Sequence, residues 1–129
     1  MTDPVKEYCR KRGYADHVVR GGMTYLVESW EQTVESVARG EVQFQDDYLN
    51  DMDGRQIPDE VLAVVTDEQK TQFGQRIAKA DQRFLAAVIP TTECLWGDQN
   101  AKKHGLTREN QWWYFNRPTN VDEREWRTY

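Results

Sequence analysis

Cysteine, proline and long apolar runs are all scarce in this chain, which has two cysteines and four prolines in 129 residues. Cys9 and Cys94 are too few for a disulfide scaffold, and we expect both to be reduced. No apolar stretch approaches the roughly 20 residues that span a bilayer, so we predict no membrane partner. The first residues carry basic side chains but lack the apolar segment of a secretory signal. We therefore expect a cytoplasmic protein.

Basic side chains are scarce in the middle of the chain. Residues 21–68 contain two basic and twelve acidic side chains, a net charge of −10, whereas residues 1–20 and 69–129 carry +2 and +3. The total of −5 argues against nucleic acid as a partner, because binding phosphates needs a basic surface. The segregation has two interpretations: the acidic segment folds against its basic flanks, or it forms a face for a cationic partner or a metal.

Apolar spacing predicts its strongest helix over residues 66–89. Thr66 and Gln69 have the spacing of a capping box at its start. One apolar stripe follows, at alternating steps of four and three, formed by Phe73, Ile77, Ala80, Phe84 and Ala87. The stripe is close to a heptad pattern, which makes a homo-oligomer compatible with the sequence.

Three other helices are predicted before this one. The first spans residues 4–11 after an N-cap at Asp3, and the second spans residues 23–39 and ends at Gly40. The third begins at Asp46 or Asp47. Either it stops near Asp53 and a new helix starts with Pro58 at its first position, or one helix continues to Val65 with a kink.

The remaining segments are predicted to connect these helices. Residues 14–20 form a turn or a short extended piece, and residues 41–45 form a connector whose apolar residues, Val42 and Phe44, contact the core. Residues 90–103 form a loop. We predict one all-α domain over residues 1–129, a bundle of four to five helices with an irregular, aromatic-rich C-terminal segment.

Acidic side chains on two successive helices are the main candidate site. They are Glu28, Glu31 and Glu35 on the second helix and Asp46 and Asp47 on the third. The three glutamates project away from the apolar arc around Trp30, so a solvated face is one interpretation. As a contact face for a basic protein, these carboxylates would speed association by electrostatic attraction.

The same residues also support a metal hypothesis. Magnesium prefers oxygen ligands, and Glu28, Glu31 and Asp47 could hold it against a phosphate. Glu28-x-x-Glu31 followed by Asp47-x-x-Asn50 is similar to the pattern of the all-α nucleotide pyrophosphohydrolases, the family of MazG and the dimeric dUTPases. In that family the second element is Glu-x-x-Asp. The resemblance implies a magnesium-dependent nucleotide hydrolase.

The aromatic run that starts at Trp112 and Trp113, with Arg117 beside it, is a second candidate binding surface. Such rings stack on ligands or, as we favour, close the open end of a small bundle. A thiolate–imidazole pair from Cys94 and His104, near Asp98, lacks the other parts of a catalytic site. The leading hypothesis is thus a non-enzymatic interaction module with an unidentified protein partner, for example an antitoxin- or immunity-type inhibitor. The hydrolase is the alternative.

Overall fold

The predicted all-α class is confirmed by a computed structural model, which describes residues 3–126. Five α-helices form most of the structure: α1 Pro4–Lys11, α2 Asp16–Ala38, α3 Gln45–Val61, α4 Asp67–Leu85 and α5 Asp98–His104. Two short strands, β1 Val88–Pro90 and β2 Asn116–Pro118, pair antiparallel, and 3-10 turns lie at Trp112–Phe115 and Glu123–Glu125. No helix within the described residues combines the length and apolar character needed to cross a membrane.

The first helix follows the prediction, whereas the second begins earlier and contains a glycine with an unusual backbone conformation. α1 begins and ends where predicted, and the Asp3 carboxylate accepts the backbone N–H of Val5 at 2.9 Å. The predicted turn or extended piece over residues 14–20 is wrong from Asp16 onwards, because that part is helical and Val18 and Val19 pack against the core. The helix continues across the Gly21-Gly22 pair with a kink, where Gly22 has φ +60° and ψ −150°.

α3 runs through its proline without stopping. It is one helix from Gln45 to Val61, which agrees with the alternative that continues past Asp53 and excludes the one that stops there. The helix ends four residues before the predicted Val65, and Pro58 is buried within it. The connector before it forms no strand, as expected. Its two apolar residues differ, however: Val42 packs against the core, whereas Phe44 is 65% exposed and does not.

The predicted capping box of α4 is confirmed by both hydrogen bonds between Thr66 and Gln69. Phe73, Ile77, Ala80 and Phe84 are buried under the chain's own helices, which leaves this stripe covered. The helix ends at Leu85 rather than near Ile89, because Val88–Pro90 pairs with β2.

The core has two parts. We call one the aromatic cluster; it joins α2, α3 and α4 to the C-terminal segment and includes Trp30, Tyr48, Phe84, Trp113 and Tyr114. We call the other the N-terminal cluster; it joins α1 to α2, α3 and α4 and includes Val5, Cys9, Leu26, Val27 and Ile77. The C-terminal aromatic run therefore belongs mostly to the core of the bundle. The predicted loop over residues 90–103 is wrong where it contains α5.

Candidate functional site

Two of the predicted acidic residues join α2 to α4. Arg76 donates to both carboxylate oxygens of Glu31, at 2.5 and 3.3 Å, and Arg83 donates to Glu35 at 2.9 Å. Arg39 also lies 3.5 Å from Glu35. The interpretation that the acidic segment folds against a basic flank is thus confirmed for these two carboxylates.

The predicted magnesium ligands do not form a site. Glu28 is exposed on α2, Glu31 is paired with Arg76, and Asp47 lies on α3. Among residues 3–126, no three carboxylate, histidine or cysteine side chains are arranged to hold a metal ion. The alternative ligand set Glu28, Glu31 and Asp47 is therefore corrected: the helices carry these carboxylates, but their geometry does not bring them together.

A different acidic site lies at the start of α3. A cleft of about 300 Å³ opens between the C-terminal end of α2, the connector and the first turns of α3. We call it the acidic cleft. Its lining includes Ser36, Glu41, Phe44, Asp47, Tyr48 and Asp51. Asp46, also predicted, is exposed in the same first turn of α3, where carboxylates stabilise the helix N-terminus.

The environment of the acidic cleft disfavours the ionised form of the Asp51 carboxyl. Partial burial, and then the charge of Asp47, raise the pKa of the Asp51 carboxyl. Burial, and then the Asp51 charge, raise the pKa of the Tyr48 hydroxyl, which donates to the backbone carbonyl of Asn116 at 3.0 Å. The Tyr48 hydroxyl therefore stays neutral and has a structural role at the base of the cleft. A cation near Asp51 would favour the ionised form of its carboxyl.

Phe44 supplies an apolar group at the rim of this cleft. It occupies the N-cap position of α3 with an extended backbone and makes no side-chain capping bond. Phe44 is also the most exposed of the large apolar residues that the described structure leaves at its surface. Sequence spacing alone gave no reason to separate it from the core-facing Val42.

Comparison with protein-family models, curated proteins and solved structures finds no match to this chain. The site must therefore be interpreted from its own geometry.

The predicted aromatic surface is mostly part of the core. Trp113 is 1% exposed, and Trp112 is half-buried with its ring centroid 5.8 Å from that of Phe84. The Arg117 guanidinium donates to the backbone carbonyls of Pro118 and Val121, so it holds the turn after β2. Burial of Trp113 and the structural bonds of Arg117 leave this run without the open face that a stacking platform needs.

The other basic residues near the aromatic run also have structural contacts. Arg108 donates to the carbonyl of Thr91 at 2.8 Å, and Arg124 pairs with Asp122 at 2.9 Å. Arg127 also follows the aromatic run in the sequence, but it lies outside the described residues.

The imagined thiolate–imidazole pair is not supported. Cys94 is buried, and burial raises the pKa of its thiol, which opposes formation of the nucleophilic thiolate. Asp98 accepts the backbone N–H of Cys94 at 3.2 Å and so contributes to local structure. His104 lies at the end of α5 and lines a separate cleft.

Sequence analysis missed a buried ion pair in the aromatic cluster. Arg55 on α3 donates to both oxygens of Asp81 on α4, at 2.8 and 3.0 Å. The indole N–H of Trp30 donates to the same carboxylate at 2.9 Å. The sequence does indicate that Arg55 is buried, because it lies at helical spacing from Tyr48 and Met52, which are apolar. Arg55 is also one of only two basic residues in the acidic segment over residues 21–68.

Proposed function

We propose that this protein is a non-enzymatic interaction module that binds a basic protein at the acidic cleft. An antitoxin- or immunity-type inhibitor is one form of such a module. The observation that carries the proposal is the position of an exposed aromatic ring, Phe44, beside the carboxylates of Asp47 and Asp51. The cytoplasmic location expected from the sequence belongs to the same proposal.

The two kinds of group in the cleft have complementary roles in binding. Large aromatic side chains contribute a disproportionate share of binding energy once a partner covers them. Carboxylates attract a basic partner over distance and select against acidic ones. A lysine or arginine of the partner in the cleft would offset the unfavourable environment of Asp51.

The proposed contact face differs from the one suggested by sequence. It consists of Glu41, Phe44, Asp46, Asp47 and Asp51. Glu31 and Glu35 are left out because they already bind Arg76 and Arg83. Glu28 lies ten residues before the end of α2, roughly 15 Å along the helix axis, and is peripheral to this face.

The proposal is tested by capture followed by quantitative binding. The intact protein is immobilised, captured proteins are identified by mass spectrometry, and each is purified for kinetic measurements. We expect a basic partner whose association slows about tenfold with Asp47→Lys at about 50 mM salt, and much less at about 500 mM. Phe44→Ala should instead speed dissociation, with a loss of more than about 1 kcal/mol.

Glu109→Lys is the matched control, since Glu109 is exposed in the turn after α5 and is remote in sequence from the acidic cleft. It makes the same change in net charge as Asp47→Lys and should leave association almost unchanged. A partner that binds all three variants with the wild-type affinity would contradict the proposed face.

A further inference from the structure

A second cleft lies on α3, separate from the acidic cleft. Its volume is about 420 Å³, and α3, α5 and the Trp112–Phe115 turn contribute to it. We call it the α5 cleft. Its lining consists of Asp53, Trp96, Asn100, His104, Leu106 and Tyr114. This volume is within the range of sites that enclose small organic molecules, and the lining combines apolar walls with a few polar groups.

Asp53 is held in one orientation by two aromatic donors. Its Oδ1 atom accepts the Tyr114 hydroxyl at 2.6 Å and the Trp96 indole N–H at 3.3 Å. Burial, and then the Asp53 hydrogen bond and charge, raise the pKa of Tyr114, so the phenol keeps the proton that it donates. Within residues 3–126, the Oδ2 atom of Asp53 receives no hydrogen bond. The carboxylate is thus oriented and still has an open acceptor.

Asn100 adds an acceptor to the same cleft. Its amide nitrogen donates to the backbone carbonyl of Trp96 at 2.8 Å, which fixes the side-chain orientation and leaves the amide oxygen as an acceptor beside the second amide N–H. The cleft therefore presents a carboxylate oxygen and an amide oxygen beside an indole ring. Two oxygen acceptors in one cleft favour a cation over an anion.

We propose that the α5 cleft binds a small organic cation, an ammonium or guanidinium group attached to an apolar body. The cation contacts Asp53, and the apolar part lies against Trp96 and Leu106. His104 is at the exposed end of α5 and contributes a polar rim. The inference is independent of the acidic cleft and of any protein partner there.

Three probes of nearly equal size test the charge preference: benzylammonium, benzyl alcohol and benzoate. Each is titrated into the intact protein and followed by NMR at the Trp96 indole N–H, assigned with Trp96→Phe. We expect benzylammonium to bind at least about tenfold more tightly than benzyl alcohol, and benzoate to bind most weakly. Equal binding of the first two, tighter binding of benzoate, or no change at Trp96 would overturn the proposal.

Asp53→Asn tests the residue that carries the preference. It removes the charge but keeps an oxygen that can accept from Tyr114 and Trp96, and it should reduce the preference for benzylammonium to less than about threefold. Asp47→Asn makes the same chemical change on α3 in the acidic cleft and should leave the preference intact. A full preference in Asp53→Asn would overturn the assignment. The comparison of the three probes uses the wild-type protein, so it tests the proposal even if Asp53→Asn fails to fold.

Discussion

Arg55 is a charged residue in the most aromatic part of the molecule. It is 5% exposed, its guanidinium carbon lies 4.5 Å from the ring centroid of Trp113, and Asp81 binds two of its nitrogens. Such a pair gains from its hydrogen bonds and cation–π contacts but loses the hydration of both ions. Removal of only one partner therefore destabilises the fold severely, because the other ion stays buried without its partner.

Removing one partner of this buried pair should lower the free energy of unfolding more than removing one partner of a surface pair. We expect Arg55→Met and Asp81→Asn each to lower the free energy of unfolding by about 3 kcal/mol, since each leaves the other group without its partner. The double variant should lose at least about 1 kcal/mol less than the sum. Urea denaturation measures all three.

Arg76→Met is the control for this cycle, because Arg76 pairs with Glu31 near the surface, with both side chains 38% exposed. It should change the free energy of unfolding by no more than about 1 kcal/mol. Strict additivity of Arg55→Met and Asp81→Asn would mean that the buried pair is not coupled in solution.

Asp51 provides a pH-dependent prediction. Its pKa in the folded protein is raised above the reference value of 3.8. The favourable contribution of its protonated form is complete below that value and is lost as the pH rises through the folded pKa. Asp51→Asn should therefore stabilise the protein at about pH 7, by less than about 1 kcal/mol because the carboxyl is only partly buried, and the gain should vanish near about pH 3.

Urea denaturation at the two pH values measures this difference, with Glu109→Gln as a control that should be neutral at both. If Asp51→Asn stabilises the protein equally at the lower pH, the stabilisation does not come from removal of the Asp51 charge. If the gain is found, the native acidic cleft keeps a carboxylate that costs stability, as expected of residues selected for binding.

At the scale of elements, the sequence was informative where the signal is local. Asp3 and Pro4 start α1, and the Thr66 and Gln69 capping box starts α4, because each cap involves residues at most three apart. β1 was not predicted because its partner, Asn116–Pro118, is far along the chain. The Arg55–Asp81 pair was missed for the same reason, since 26 residues separate its members.

α5 and the candidate sites show two other limits. α5 has seven residues and one buried side chain, Ala101, so it has no apolar period to detect, although Gly105 at φ +67° caps its end. The acidic residues were found by composition. Their division between structural pairs and an open cleft depends on where α4 places Arg76 and Arg83, which no spacing within α2 could reveal.

The kink in α2 gives a prediction at the element scale. Gly22 has a backbone conformation open almost only to glycine, so Gly22→Ala should lower the free energy of unfolding by about 1–3 kcal/mol. Gly74→Ala is the matched control: Gly74 lies inside α4, and an added Cβ would meet nothing within 4 Å. That variant should gain up to about 1 kcal/mol. Thermal and urea unfolding measure both, and an unchanged Gly22→Ala protein would contradict the kink.

At the scale of the whole molecule, the question is whether the two core clusters unfold together. α2, α3 and α4 contribute side chains to both clusters, so the loss of one cluster should also destabilise the other. All five tryptophans belong to the aromatic cluster or pack against it. Tryptophan fluorescence therefore reports on that cluster alone, whereas far-UV circular dichroism reports on the helices of both.

The two signals should give coincident unfolding curves if residues 1–129 are the single domain predicted from sequence. A substitution in the N-terminal cluster, which contains no tryptophan, makes the test stricter. Ile77→Val removes one methylene from the N-terminal cluster and should cost about 0.5–1.5 kcal/mol. Because the shared helices transmit this loss, the fluorescence midpoint should shift as far as the dichroism midpoint, and Val34→Ala in the aromatic cluster should likewise shift both. A fluorescence midpoint that is unchanged by Ile77→Val would mean that the clusters are separate cooperative units and that the single-domain prediction is wrong.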